Sequence, residues 1–136
     1  MAEFDGKKWR YSIVDGDAEK VQDYKEANRV RTGSDVSVSS ACSRTSAGLQ
    51  VFYRDQSQGI LLGASKLGTS WNFEIVDGDR TTDSRTTGDV AFHLKSLTIG
   101  NKVYLVYDSV LSVNSENKAI RGEVRLATRS SADPAD

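Results

Sequence analysis

Alternation of apolar and polar side chains runs through most of the chain and predicts β-strands. In residues 9–14, for example, Trp9, Tyr11 and Ile13 alternate with polar residues. Such a pattern places the apolar side chains on one face of a strand, because successive side chains point to opposite faces. Stretches of the same character, bounded by Gly, Asp and Ser, are residues 35–42, 49–54, 59–65, 70–76, 90–94, 102–107 and 122–127.

Residues 18–31 depart from this β pattern. Charged residues fill the segment, and the apolar residues recur at every third position, as Val21, Tyr24, Ala27 and Val30. Asp17 is suitable as an N-cap and Gly33 as a C-terminal stop. The apolar stripe is thin, so the sequence leaves a short surface helix and a solvated loop as equal alternatives.

One segment of the chain occurs twice. Residues 9–17 and 71–79 share Trp, Ile, Val, Asp, Gly and Asp at six of nine positions, 62 residues apart. Other pairs align at an offset of 54 (Asp35 with Asp89, Val36 with Val90, Tyr53 with Tyr107) or of 63 (Gly59 with Gly122, Ala64 with Ala127). The offset changes only between predicted strands, where insertions are tolerated. This indicates a duplicated structural unit.

Each unit holds four short strands joined by turns, which is typical of a β-propeller blade. We therefore predict an all-β fold of two tandem blades, in which the N-terminal strand completes the last blade. Repeat 1 covers about residues 18–79, and repeat 2 covers about 80–129 together with 4–17. Residues 130–136 form a flexible tail. The alternative is a single eight-stranded barrel or sandwich.

Several short motifs resemble known propeller families. Residues 51–55 (Val-Phe-Tyr-Arg-Asp), followed by a Gly-led strand at 59–64 and by Trp71, are similar to β-propeller blades. Residues 68–71 resemble the end of an Asp-box, although Lys66 stands where the aspartate belongs. Residues 4–9 (Phe-Asp-Gly-Lys-Lys-Trp) are similar to a segment of the six-bladed fucose-binding lectins. This resemblance implies a lectin-type propeller.

Two blades cannot close a ring, so each would present an apolar face without a neighbour. An exposed apolar face of that size implies a partner. Because a head-to-tail interface that closes produces a cyclic ring, we expect a homo-oligomer, with a trimer favoured and a tetramer second. The remaining blades of a longer chain are the alternative partner.

Charge and composition exclude several classes of partner and site. The formal net charge is −1, from 18 basic and 19 acidic residues, which removes the electrostatic reason to expect nucleic acid. No apolar run approaches the ~20 residues that span a bilayer, and no signal peptide is evident, so we expect a soluble chain whose compartment stays open. Cys42 and His93 are single residues of their type. They exclude a multi-cysteine or multi-histidine site within one chain, and we expect both to be packed strand residues.

Two groups of residues are candidates for a site. Asp15, Asp17, Asp77 and Asp79 are weak metal candidates, because Asp15, Asp17 and Glu19 have the spacing that opens a calcium loop. A strand-ending turn with carboxylates capping local amides is the favoured interpretation. The ligand-binding candidates are Tyr53, Arg54, Asp55, Tyr107, Asp108, Trp9 and Trp71. The two tryptophans are also typical packing anchors.

The sequence contains no catalytic motif such as Gly-x-Ser-x-Gly and no phosphate-binding glycine loop. We therefore expect a binding module that is not an enzyme and that uses no cofactor. The first hypothesis is lectin-like carbohydrate binding, in which weak contacts are multiplied by avidity. The alternative is a protein-interaction or structural propeller scaffold with no small-molecule site.

Overall fold

The structure is a computed structural model that describes residues 1–20, 31–36, 38–79 and 85–130. These residues form β-strands in three antiparallel sheets and contain no helix, so the all-β prediction is confirmed. The strands are β1 (Ala2–Phe4), β2 (Trp9–Tyr11), β3 (Ser40–Thr45), β4 (Gly48–Asp55), β5 (Ile60–Leu67), β6 (Ser70–Asp77), β7 (Asp89–Ile99), β8 (Lys102–Val113) and β9 (Ala119–Ser130).

The strands follow one another in space as they do along the chain. Strands β1 and β2 form an N-terminal hairpin, β3 to β6 form the first sheet, and β7 to β9 form the second sheet. Tight turns make this order possible. Gly100 and Asn101 alone connect β7 to β8, and Gly100 has φ of +59°, a conformation that glycine adopts without steric cost. None of these sheets closes on itself, so the described strands do not form a barrel.

The two sheets repeat each other residue by residue. In the first sheet Tyr53 lies opposite Leu62, and in the second sheet Tyr107 lies opposite Arg125. These pairs are related by the offsets of 54 and 63 that align the two halves of the sequence. The insertion after Tyr107 lengthens β8 and β9 to 12 residues each, so that their hairpin extends beyond the repeated part. The duplication is therefore present in the strand pairing itself.

Alternate residues of β4 supply two separate cores. Phe52 faces the second sheet, and with Leu61 it packs against a cluster formed by Val90, Ala91, Leu94, Val103, Leu105 and Tyr107. Tyr53 faces the opposite side, where it packs with Leu62, Ala64 and the partly buried Val14 and Val36. The first sheet thus has contacts on both faces: with the second sheet on one and, over part of its surface, with the N-terminal segment on the other.

The N-terminal strand does not join the second sheet of the same chain. Residues Trp9–Tyr11 pair instead with Ala2–Phe4, which leaves the second sheet with three strands. The physical reason lies just after the strand, where Val14 packs in the core on the far face of the first sheet. The prediction that this strand completes the last repeat is therefore not fulfilled within one chain.

Some predicted features fall outside the described residues. The alternatives for residues 18–31 concern mainly 21–30, which lie outside them, as do residues 131–136 of the predicted tail. Ser130, where that tail was expected to begin, is the last residue of β9. Within the described residues, no helix has the length and apolar character needed to cross a bilayer.

A buried arginine joins the first sheet to the start of the second. Arg54 is only 2% exposed, and its guanidinium donates to the carboxylate of Asp89 (2.6 Å), to the carbonyl of Val90 and to the side chain of Gln56 (2.8 Å). It also lies 4.1 Å from the centre of the Phe92 ring. These contacts compensate for burying the charge, since an unpaired buried charge is strongly destabilising.

We predict that Arg54→Met lowers the free energy of unfolding by about 2–3 kcal/mol, because acceptors on Asp89 and Val90 lose their donor. Arg44→Met is the matched control, since Arg44 is exposed on β3, and it should change stability by less than about 0.5 kcal/mol. Urea unfolding followed by fluorescence measures both. Equal stability of the two variants would contradict the structural role of Arg54.

Candidate functional site

The repeated Asp-Gly-Asp segment begins with a carboxylate that, in the second copy, is buried and links consecutive sheets. Asp77, the last residue of β6, accepts hydrogen bonds from the amides of Gly78 (2.8 Å) and Thr86 (2.7 Å). It also accepts one from the hydroxyl of Tyr107 on β8 (2.6 Å) and forms an ion pair with Arg125 on β9 (2.8 Å). A strand of the first sheet is thereby attached to two strands of the second.

The first repeat contains the same arrangement. Asp15 accepts from the amides of Gly16 (2.9 Å) and Thr32 (2.7 Å) and from the hydroxyl of Tyr53 (2.6 Å). We call the two sets of contacts around Asp15 and Asp77 the tyrosine–aspartate ties. Each tie attaches the end of a Trp-containing segment to the central strand of the sheet that follows.

The second aspartate of each motif pairs with an arginine. Asp17 lies 3.1 Å from Arg31, and Asp79 lies 2.8 Å from Arg85. The four aspartates that were weak metal candidates therefore hold amide, hydroxyl and guanidinium donors, as the turn interpretation expects. Within the described residues, no group of three or more His, Cys, Asp or Glu side chains is arranged to hold a metal ion.

Burial changes the acid–base chemistry of the second tie. The buried surroundings of Tyr107, together with its hydrogen bond to Asp77, raise the pKa of the phenol well above its ordinary value. The hydroxyl therefore stays protonated throughout the physiological range and acts as a permanent donor to the carboxylate. Its role in the structure is connection rather than proton transfer.

A cleft lies beside each tie, at equivalent places in the two repeats. The first cleft, about 380 Å³, is lined by Ser12, Ile13, Val14 and Val51 among others. The second cleft, about 300 Å³, is lined at the equivalent positions by Glu74, Ile75, Val76 and Leu105. Both volumes are at the small end of the range for ligand sites. A repeated cleft is the candidate functional site.

Charged residues on two strands line the second cleft. The guanidinium of Arg129, on β9, is paired with the carboxylate of Glu74, on β6, and the floor between the strands is apolar. Gly63 lies opposite Glu74, where an added Cβ would come within 3.0 Å of the glutamate Cγ. The glycine therefore leaves room for Glu74 to lie across the sheet and meet Arg129.

The first repeat has a similar ion pair on its third strand. Lys66, which aligns with Arg129 at the offset of 63, lies 2.7 Å from Glu3 in the N-terminal hairpin. Its ammonium group is also 6.0 Å from the centre of the Trp71 ring. Both repeats thus place a basic residue of the third strand against an acidic residue.

The structure separates the predicted ligand-binding residues. Tyr53 and Tyr107 belong to the two ties, and Arg54 is committed to the link between sheets. The remaining candidates are Asp55, which is buried at the end of β4, Asp108, which is 2.8 Å from His93, Trp71, which is partly buried on the first sheet, and Trp9, which is exposed and packs on Phe4. These residues do not converge on one site.

Two further residues differ from expectation. Cys42 lies in β3 and His93 in β7, as strand residues, but both side chains are exposed rather than packed. The reason for His93 is that β7 is irregular there: pairing with β8 shifts register around Phe92, and His93 has φ of +50°. This turns the imidazole outward to Asp108.

Sequence reasoning missed Thr32, Thr86, Glu74 and Arg129. A signal for the two threonines exists, because an Arg-Thr pair precedes Asp35 and Asp89 at the same offset of 54. No comparable signal marks Glu74 and Arg129, which lie 55 residues apart and meet only through packing of the sheets.

Comparison with known proteins does not assign the chain. No protein-family model, no curated protein and no solved structure matches it. The candidate site is therefore interpreted by comparing the two repeats of the chain with each other.

We predict that Tyr53→Phe and Tyr107→Phe each lower the free energy of unfolding by about 1–2 kcal/mol, since each leaves a carboxylate without a hydroxyl donor. The two losses should add within about 0.5 kcal/mol, because the hydroxyls belong to separate ties. Tyr104→Phe, at a tyrosine of β8 outside both ties, is the control. Chemical unfolding measures all four variants, and a double variant as stable as the parent would refute the role of the ties.

Proposed function

We propose that this chain is a non-catalytic, lectin-like binding module that holds carbohydrate in the clefts between its sheets. In this proposal the two repeats are blades of a propeller, and the clefts are the spaces between neighbouring blades. The observation that carries the proposal is the occurrence of the cleft at equivalent positions of both repeats. A repeated site suits a ligand that is bound weakly at each place and held by several contacts together.

The chemistry of the second cleft supports a carbohydrate ligand. A sugar ring presents hydroxyls that both donate and accept hydrogen bonds, and it also presents apolar C–H groups. Glu74 supplies acceptors and Arg129 supplies donors at the cleft, while Val76 and Leu105 supply apolar surface. A site with an apolar floor and a few convergent polar groups is the usual form of a small-molecule site.

The same ion pair is suited to holding a ligand in one orientation. The carboxylate of Glu74 is paired with the guanidinium of Arg129, and charge-assisted pairs of this kind are strong and geometrically specific. In the proposed role both side chains therefore orient the ligand.

A second candidate function is a protein-interaction scaffold. It is favoured by the face of the second sheet that turns away from the first sheet, where Val106, Val124 and Leu126 are exposed. Adjacent exposed apolar residues of this kind mark protein-binding surfaces. A scaffold would use this face and leave the clefts empty.

A glycan array followed by calorimetry on a bound glycan tests the proposal. We predict that Glu74→Gln weakens glycan binding about tenfold, or about 1.4 kcal/mol, because the cleft loses a charged acceptor and its pairing with Arg129. Glu116→Gln is the matched control, since Glu116 is exposed in the hairpin between β8 and β9. The Glu116→Gln variant should bind the glycan with unchanged affinity.

Absence of binding to every glycan on the array would overturn the carbohydrate proposal and leave the scaffold as the better one. Glycan binding that is equally strong in Glu74→Gln and in the parent protein would place the ligand elsewhere than in the second cleft.

A further inference from the structure

The second sheet has one face that none of the described residues covers. Val103, Leu105 and Tyr107 point toward the first sheet and are buried, so Val106, between them on β8, points the opposite way. On that outer face Val124 is 73% exposed and Leu126 is 62% exposed.

The first sheet shows what the equivalent face does when it is covered. Phe52 aligns with Val106 and Leu61 aligns with Val124, at the offsets of 54 and 63. Phe52 and Leu61 are buried against the second sheet. The face that is open on the second sheet is therefore the same face that forms the interface between sheets inside the chain.

The complementary half of that interface is also only partly covered in the first sheet. In the second sheet, Val90, Val103 and Leu105 pack against Phe52 and Leu61. Their counterparts in the first sheet are Val36, Leu49 and Val51, which are all partly exposed. One molecule thus carries both halves of a further interface, one on each sheet, and two copies can join them head to tail.

The edge of β9 that lies away from β8 corresponds, in the repeat, to the edge of β5 that pairs with a Trp-containing strand. In the first sheet, the Trp-containing strand β6 pairs with β5. Among the described strands, β9, the counterpart of β5, pairs with β8 alone. The other Trp-containing strand, β2, pairs with β1 along one edge only. The tie between Asp15 and Tyr53 holds the end of this segment on the face of the first sheet opposite to the second sheet.

We propose that a second copy of this chain docks head to tail on the second sheet. The half-open face of its first sheet covers Val106, Val124 and Leu126, and its residues 9–13 pair with the free edge of β9. This repeats, between two molecules, the packing that joins the first sheet to the second within one molecule. A trimer closes a ring of six sheets, and a tetramer closes a ring of eight.

The internal pairing of β5 with β6 fixes the expected register. Ala64 lies opposite Phe73, Ser65 opposite Asn72, and Lys66 opposite Trp71. Shifting β5 by 63 residues and β6 by 62 pairs Ala127 with Tyr11, Thr128 with Arg10, and Arg129 with Trp9 of the second copy. The last pair reproduces the approach of Lys66 to the Trp71 ring.

Side-chain sizes agree with this register. Inside the chain the small Gly63 lies opposite the long Glu74. In the proposed pairing their counterparts are Leu126 and Ser12, so the large and small partners have exchanged strands. The pair keeps one bulky and one small side chain, as close packing requires.

Docking also completes the second cleft. Ala127, Thr128 and Arg129 line it on β9, and the proposed pairing places Trp9 and Tyr11 of the second copy beside them. Aromatic rings of a second molecule would then form one wall of the site. This part of the inference rests on the proposed carbohydrate-binding function, whereas the docking itself does not.

Light scattering coupled to size-exclusion chromatography, over a range of concentrations, tests the docking. We expect a mass that is a multiple of the 14.9 kDa chain, with three copies favoured. Val124→Asp should weaken self-association about tenfold or more, because it buries a charge in an apolar interface. Val113→Asp is the matched control, since Val113 is also exposed but lies in the hairpin extension outside the repeated part.

A mass of one chain at every concentration would overturn the docking. Equal weakening of self-association by Val124→Asp and by Val113→Asp would overturn it too. Circular dichroism checks that both variants remain folded. The outcome is separable from the proposed function: assembly without glycan binding refutes only the carbohydrate site, and glycan binding by a monomer refutes only the docking.

Disulfide trapping tests the register. Opposed residues of antiparallel strands lie about 4.5–5.5 Å apart, which is within the range for a disulfide. In a Cys42→Ser background, Arg10→Cys with Thr128→Cys should produce a ladder of linked chains on a non-reducing gel. Arg10→Cys with Ile120→Cys, near the other end of β9 and out of register, should not. A link within one chain, or equal trapping by the two pairs, would overturn the proposed pairing.

Discussion

A hydrogen bond from a tyrosine hydroxyl to a buried aspartate carries the connection between consecutive repeats. A bond to a charged acceptor is stronger than a neutral one, and a buried carboxylate that loses its donor is costly. Because Asp77 also binds the amides of Gly78 and Thr86, one carboxylate sets the end of a strand, the turn after it and the distance to the next sheet.

The repeat, the strands and their alignment could be predicted from the sequence, because insertions between strands leave the pairing of the strands unchanged. The position of the N-terminal strand could not, since it depends on Val14 and Asp15 meeting the first sheet. The burial of Arg54 could not be predicted from the sequence either. Its acceptors, on Asp89 and Val90, come from a segment about 35 residues away, so the local pattern of Tyr53 to Asp55 indicated only a ligand-binding candidate at the end of a strand.

The repeated sequence motifs marked the two aspartates beside the candidate site but not the charged residues that line it. Motifs mark positions where the backbone demands a residue type, and Asp15 and Asp77 are such positions. Glu74 and Arg129 are different, because they occur in one repeat only and meet across two sheets. Their meeting depends on Gly63 being small enough to let the glutamate lie over it. That dependence involves three strands and has no spacing that a single sequence can display.

The asymmetry between the repeats is a consequence of duplication rather than an irregularity. When a unit packs one face against the opposite face of its successor, each interface requires two different surfaces. Two such units form one interface between them. One face of the first unit and the opposite face of the second unit then take no part in an interface of this kind. Leu61 is fully buried and Val124 is 73% exposed for this reason, although both are apolar residues at the same place in the repeat. Docking of a second copy, as proposed, would bury Val124 in the way that Leu61 is buried within the chain.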